Sequence, residues 1–160
     1  NLRLLGPDGT EIDTADLGRE VVHLPYDGEA TVDGIEVETV PAYNRADGPH
    51  VRENGEPYHD EGEVIGLVLT IDGVRVYFAS DTDFLDEHRG IEADVLIPPI
   101  GGRPTMDRHE AAAMAEAIGP SLVLPVHYTT GEDGAIQGLD ADAEAFEDEV
   151  EAGGARVVLF

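Results

Sequence analysis

β-prone apolar runs dominate the first half of the chain, and helical spacing enters only in the second. In ATVDGIEVETV (30–40) two such runs flank Asp33-Gly34, and in IGLVLTIDGVRVYFA (65–79) two more flank Asp72-Gly73. Asp and Gly tolerate the left-handed backbone of a two-residue reverse turn, so each stretch is predicted to be an antiparallel hairpin. Between them lies PAYNRADGPHVRENGEPYHDEGE (41–63), polar and rich in Gly and Pro. A loop of that length inside a compact domain usually carries function.

Beyond residue 84 the pattern changes. DVLIPPI (94–100) reads as a short, continuous apolar strand. TMDRHEAAAMAEAIGP reads as a helix, with Asp107 as N-cap, Glu110 closing a capping box, and Gly119-Pro120 as the stop. SLVLPV is a second buried strand, ending in His127-Tyr128. A last helix is expected to start near Asp140, to place Ala143, Phe146 and Val150 on one face, and to end at Gly153-Gly154. ARVVLF closes the chain as a strand. Hairpins followed by strand–helix–strand–helix–strand give a mixed α/β chain with helices covering a sheet, read as one domain over 1–160.

The 160 residues, 41% of them hydrophobic, suffice for a sizeable core. No apolar run approaches the length of a membrane span. The opening NLRLLGPDGTEID lacks the charged leader and apolar core of a secretory signal. The expected location is the cytoplasm. With no Cys, disulfides and thiolate metal sites are excluded. Charge adds most to the picture. There are 35 acidic residues against 9 basic ones, every basic residue is Arg, and the net charge is −26. The acids are spread through patterned strands and helices rather than gathered in a tail. Such a surface repels itself in dilute buffer, but at molar salt the Debye length is about 3 Å and the repulsion is screened. The composition resembles that of proteins from extreme halophiles, and a high-salt cytoplasm is the expected setting. The same surface disfavours nucleic acid as a partner.

Candidate chemistry gathers at strand ends. VYFASDTDF (76–84) delivers Asp81 and Asp83 at the tip of an apolar strand, the long loop carries His50 and His59, and SLVLPV delivers His127. Ends of strands in one sheet fix several groups on a rigid base and leave the loops to take up a ligand. Imidazoles and carboxylates without thiols suit Zn²⁺, Mn²⁺ or iron. His23, in EVVHLPY, reads as packed or at a strand edge, His88 as part of a connecting segment, and His109 as solvated in the first turn of a helix. Tyr128, beside His127, is either a packing residue or a hydrogen-bond donor to substrate. The loop PIGGRPTMD (99–107) is either an ordinary turn or a cradle for an anionic group, with Arg103 as a charge clamp.

GLVLTIDGVRVYFASDTDF followed by ADVLIPPIGGRPTMDRHEAAAMAEAIGPSLVLPVHY resembles the later part of a metallo-β-lactamase-fold, metal-dependent hydrolase of the lactonase-like branch. The resemblance is close over 65–128. It implies an αββα four-layer sandwich and one or two metal ions, zinc first. It also implies hydrolysis of an ester, lactone or phosphoester in a small-molecule substrate by metal-activated water. Carried over residue by residue, Asp81 matches the bridging carboxylate and His127 the last His ligand, both taking part in catalysis. His59 is the preferred loop ligand, with His50 as the alternate, and Asp83 orients a ligand from behind. Asn44 stands where some relatives carry a His, and Ser80 replaces the usual Gly before the Asp. The family's His-x-His-x-Asp-His is absent. Two expectations account for that: a natural protein continuing upstream of Asn1, or a non-catalytic binding or structural relative without a complete metal site. Homo-oligomerisation is left open.

Overall fold

The computed structural model describes residues 24–128 and 142–160. Seven strands form one sheet in the order of the chain. β1 (Gly28–Val32), β2 (Ile35–Ala42), β3 (Val64–Ile71) and β4 (Val74–Phe78) pair antiparallel. β4, β5 (Val95–Ile97), β6 (Leu122–Val123) and β7 (Arg156–Val157) pair parallel. Helix α1 (Arg108–Ile118) joins β5 to β6, and α2 (Ala143–Ala152) precedes β7.

Both hairpins turn where the sequence places them. Asp33 and Gly34 have φ of 51° and 82°, Asp72 and Gly73 of 51° and 81°. These are the left-handed values that a two-residue turn needs. Asp107 caps α1 by accepting from the backbone N–H groups of His109 and Glu110, while Glu110 closes the capping box. Gly119, at φ 67°, ends the helix. The cap of α2 is Asp142, and Ala143, Phe146 and Val150 are its buried residues. Asp140, where that helix was expected to begin, and His23 with its expected strand lie outside the described residues.

The register explains the core. Tyr77, Leu96, Val123 and Val157 pair in a row across β4–β7. Met106, Ala111, Met114, Phe146 and Val150 pack onto that row. Burying one such side chain contributes about 1.5–3 kcal/mol. The opposite face of the sheet is also apolar. Val76, Leu67 and Leu69 are half-buried there, and Phe78, Ile71 and Val74 are exposed. The described residues thus supply one sheet and the helical cover of one face. The second sheet of the expected sandwich is not among them.

This topology also sets where chemistry can sit. β2 runs antiparallel to β3, and β3 to β4, so β2 points the same way as β4, β5 and β6. The carboxyl ends of four strands therefore meet at one rim of the sheet.

A candidate metal centre at the strand-end rim

Each of the four strands delivers something to the rim. β2 leads into Tyr43 and Asn44 and the long loop, β4 into Asp81 and Asp83, the β5–α1 loop into Arg103 and Thr105, and β6 into His127. Thr82, fully buried, stitches three of these segments together. Its hydroxyl accepts from the Tyr43 N–H (3.1 Å), while its own N–H donates to the Thr105 hydroxyl (3.1 Å) and its carbonyl accepts from the Met106 N–H (3.0 Å). The Asp83 N–H donates to the Tyr43 carbonyl (2.9 Å). With its neighbours pinned in this way, the Asp81 side chain is left at the surface, about one-third exposed.

Asp81 presents one carboxylate oxygen to each of two imidazoles. Oδ2 lies 3.6 Å from His59 Nε2, and Oδ1 lies 3.7 Å from His127 Nε2. Both gaps are too long for direct hydrogen bonds. Two ligands held at about 2.0–2.2 Å by one tetrahedral ion stand about 3.3–3.6 Å apart, so each gap is close to the edge of a coordination shell. The donor set, two imidazoles and a carboxylate, suits a divalent transition ion. His127 Nδ1 is buried and has no hydrogen-bond partner, which leaves Nε2 as the nitrogen facing the carboxylate. Because the imidazoles face different oxygens, the three groups form a chain rather than a cage. Among the described residues no three His, Cys, Asp or Glu groups enclose one point.

Backbone strain flanks this chain of groups. Ser80 (φ 63°) and His127 (φ 60°) occupy the left-handed region, as does Arg103 (φ 59°). The conformation costs an ordinary residue about 1–2 kcal/mol, and such positions persist where surrounding bonds hold them. Around His127 those bonds run from the Val126 N–H to the Pro98 carbonyl (2.9 Å) and from the Ile100 N–H to the Val126 carbonyl (3.0 Å).

The other candidate residues lie elsewhere. His50 is buried. Its Nε2 pairs with Glu110 Oε2, and its Nδ1 lies 3.2 Å from the Arg103 carbonyl. Burial disfavours the charged ring, but the hydrogen bond and charge of Glu110 outweigh it, with help from Asp83. His50 therefore titrates above its ordinary value. His88 is fully buried, accepts from the Leu85 N–H at Nδ1 and has Nε2 3.0 Å from the Pro41 carbonyl. Burial lowers its pKa. His109 is mostly exposed and faces Glu149. Arg103 donates from Nε to the Tyr58 hydroxyl (3.0 Å), one residue from His59. The Tyr128 hydroxyl both donates to the Phe160 carbonyl (3.1 Å) and accepts from its N–H (3.0 Å). At the start of α1 the N–H groups of His109 and Glu110 are taken by Asp107 and that of Gly102 by the Met106 carbonyl, so this loop bonds to itself. A cleft of about 720 Å³ between α1 and α2 contains none of the residues facing Asp81.

Thr82, Thr105 and the bonding role of Asn44 were not anticipated from the sequence. The one signal was a Thr between two carboxylates directly after an apolar strand.

Residues 8–127 match the family model of the beta-lactamase superfamily domain. A UPF0173 metal-dependent hydrolase of Methanosphaerula palustris is 34% identical over 144 residues, which are 84% of this chain and 60% of the relative. A structure from Parabacteroides distasonis, assigned as a metal-dependent hydrolase, superposes with a TM-score of 0.70 at 27% identity, covering 97% of this chain and 62% of that one. A metallo hydrolase from the archaeon Ignicoccus hospitalis superposes at 0.69 and 28% identity, covering 91% and 60%. The chain spans 60% or less of the length of the curated relatives it matches.

Proposed function

The chain belongs to the beta-lactamase superfamily and has its α/β fold, and from that premise we propose that Asp81, His59 and His127 are metal ligands in a hydrolase site. The observation that carries this reading is the placement of one Asp81 oxygen before each imidazole. A bound divalent ion, Zn²⁺ first and Mn²⁺ or iron by the same donors, would supply an acidified water and polarise the bond attacked. Asp81, His59 and His127 would hold it. The substrate class is a small ester, lactone or phosphoester. Arg103, which holds the hydroxyl of Tyr58, the residue before His59, would receive an anionic part of it. Tyr128, whose hydroxyl is bonded to Phe160, acts in packing rather than on substrate. A non-catalytic binding domain is the second reading. It is favoured by the absence, among the described residues, of three groups enclosing one point.

Competition against a chelator, with Zn²⁺ on the 160-residue chain, tests the ligand set. Each ion needs at least three protein ligands and an open position, so we expect weak binding, well under one tightly held ion per chain. It should be lost in Asp81→Asn and kept in His50→Gln. Equal binding by wild type and Asp81→Asn would remove Asp81 from the site.

The same proposal places the protein in a salt-rich cytoplasm. With a net charge of −26, unfolding at about 2 M KCl should require a much higher temperature than at about 0.1 M, since screening relieves acid–acid repulsion. Equal melting temperatures would count against it.

A further inference from the structure

We infer that Asn44 is a positioning residue that sets His59 against Asp81, with Asp83 as its anchor. The inference rests on the reading of His59 as a ligand. His59 sits on a long loop that is exposed from Arg52 to Glu56 before it and from Asp60 to Glu63 after it. Such a loop holds a side chain in place only if something rigid grips its backbone. Asn44 grips it twice. Its Oδ1 accepts from the His59 N–H (3.0 Å), and its own N–H donates to the His59 carbonyl (2.9 Å). Both polar groups of the His59 backbone are therefore held by one residue.

Asn44 is itself fixed from behind. Its Nδ2 donates to Asp83 Oδ1 (2.8 Å), while Asp83 Oδ2 accepts from the Arg45 N–H (2.8 Å). Asn44 and Asp83 are each 2% exposed. A buried carboxylate bonded to one amide and one backbone N–H is costly to disturb. The crowding is tight as well, since a Cβ built on Gly48 would lie 2.8 Å from Asp83 Oδ2. An amide is the side chain this position needs, because it must donate to a carboxylate on one side and accept from a peptide N–H on the other. Asp83 lies two residues from Asp81 on the same strand end, so the relay ties the loop His to the carboxylate it faces.

The test is a double-mutant cycle on Zn²⁺ affinity at about 2 M KCl, joined to hydrogen exchange of the His59 amide in the metal-free chain. Partners behind a ligand typically change metal affinity by about 10–100-fold. Asn44→Ala should weaken Zn²⁺ binding by that factor in the wild type and by less than about 3-fold in the His59→Ala background, because its effect runs through His59. Equal losses in both backgrounds would overturn the inference. Should His59→Ala alone leave binding unchanged, the ligand reading falls. The exchange measurement then still decides whether Asn44 holds the loop: protection at His59 must drop in Asn44→Ala. Should Asn44→Ala fail to fold, the paired swap Asn44→Asp with Asp83→Asn keeps every donor opposite an acceptor. It is expected to recover Zn²⁺ binding and His59 protection that Asn44→Asp alone loses. No recovery would refute the relay.

Discussion

The two ends of the central strands are built by different means. At one end β1–β2 and β3–β4 reverse through Asp33-Gly34 and Asp72-Gly73, four residues whose positive φ values are those the turn requires. At the other end Ser80, Arg103 and His127 also have positive φ, outside any β-hairpin. This end is crossed by bonds between segments far apart in the chain: Asn44 to Asp83 across 39 positions, Thr82 to Thr105 across 23, His50 to Glu110 across 60. The turn end is self-sufficient and makes shape. The rim is held by bonds between segments distant in sequence, and it is where Asp81 faces two imidazoles.

The largest effect that separates the two ends should come from Thr82→Val. This change conserves volume but removes the hydroxyl that accepts from the Tyr43 N–H and donates to backbone carbonyls. Buried groups left without partners cost about 1–3 kcal/mol, and the whole rim should loosen. Asp72→Asn, at the turn end, keeps a residue that tolerates the left-handed region and should change stability by less than about 0.5 kcal/mol. Chemical denaturation of both variants checks this. A larger loss in Asp72→Asn would reverse the comparison.

The same contrast decides how much was legible in the sequence. Hairpin turns, the Asp107–Glu110 capping box and the Gly119 stop are local chemistry, and all stand where the residues announce them. β5 and β6 are shorter than their apolar runs suggest. Pro98 and Pro99 have no N–H to extend the ladder beyond Ile97, and pairing resumes only as the Pro99–Val126 bridge. At the rim, Asp81, His59 and His127 were readable because strand ends and a loop name them one at a time. What binds them together was not readable. Asn44 stood out only as a replacement for a His that some relatives carry, Thr82 only as a Thr between two carboxylates, and His50 as the alternate ligand. Nothing in their neighbourhoods points to partners tens of residues away. Glu110 is the sharpest instance: its capping role is visible three residues off, its pairing with His50 is not.

A smaller effect should come from Ser80→Gly, which sharpens the comparison by relieving strain at the rim alone. Ser80 has φ 63° and stands directly before Asp81. Removing its Cβ recovers about 1–2 kcal/mol of steric cost. It adds about 0.5–1 kcal/mol of unfolded-chain entropy. The net expectation is a gain of up to about 1.5 kcal/mol, seen as a raised denaturation midpoint with an unchanged slope. A clear loss would mean that the Ser80 side chain is needed at the rim for more than its conformation.

The smallest effect is a pH dependence that only the rim possesses. His50 joins the long loop to α1 through Glu110, with the Asp83 charge nearby and the Arg103 carbonyl on its other nitrogen. Its folded pKa is raised above the ordinary 6.5, since the Glu110 bond and charge overcome the opposing effect of burial. A raised value in the folded state means that folding favours the protonated ring. That stabilisation is complete below about pH 6.5. It is lost as pH rises through the higher folded value. The wild type should therefore exceed His50→Gln in melting temperature by more at pH 6 than at pH 8.5, measured at one fixed KCl concentration. Taking the difference between the two proteins cancels the titration of every group that His50 does not touch. An advantage that grows with pH would show that His50 is held neutral, with its proton on the nitrogen facing Glu110, and that the loop is latched by a neutral hydrogen bond rather than by an ion pair.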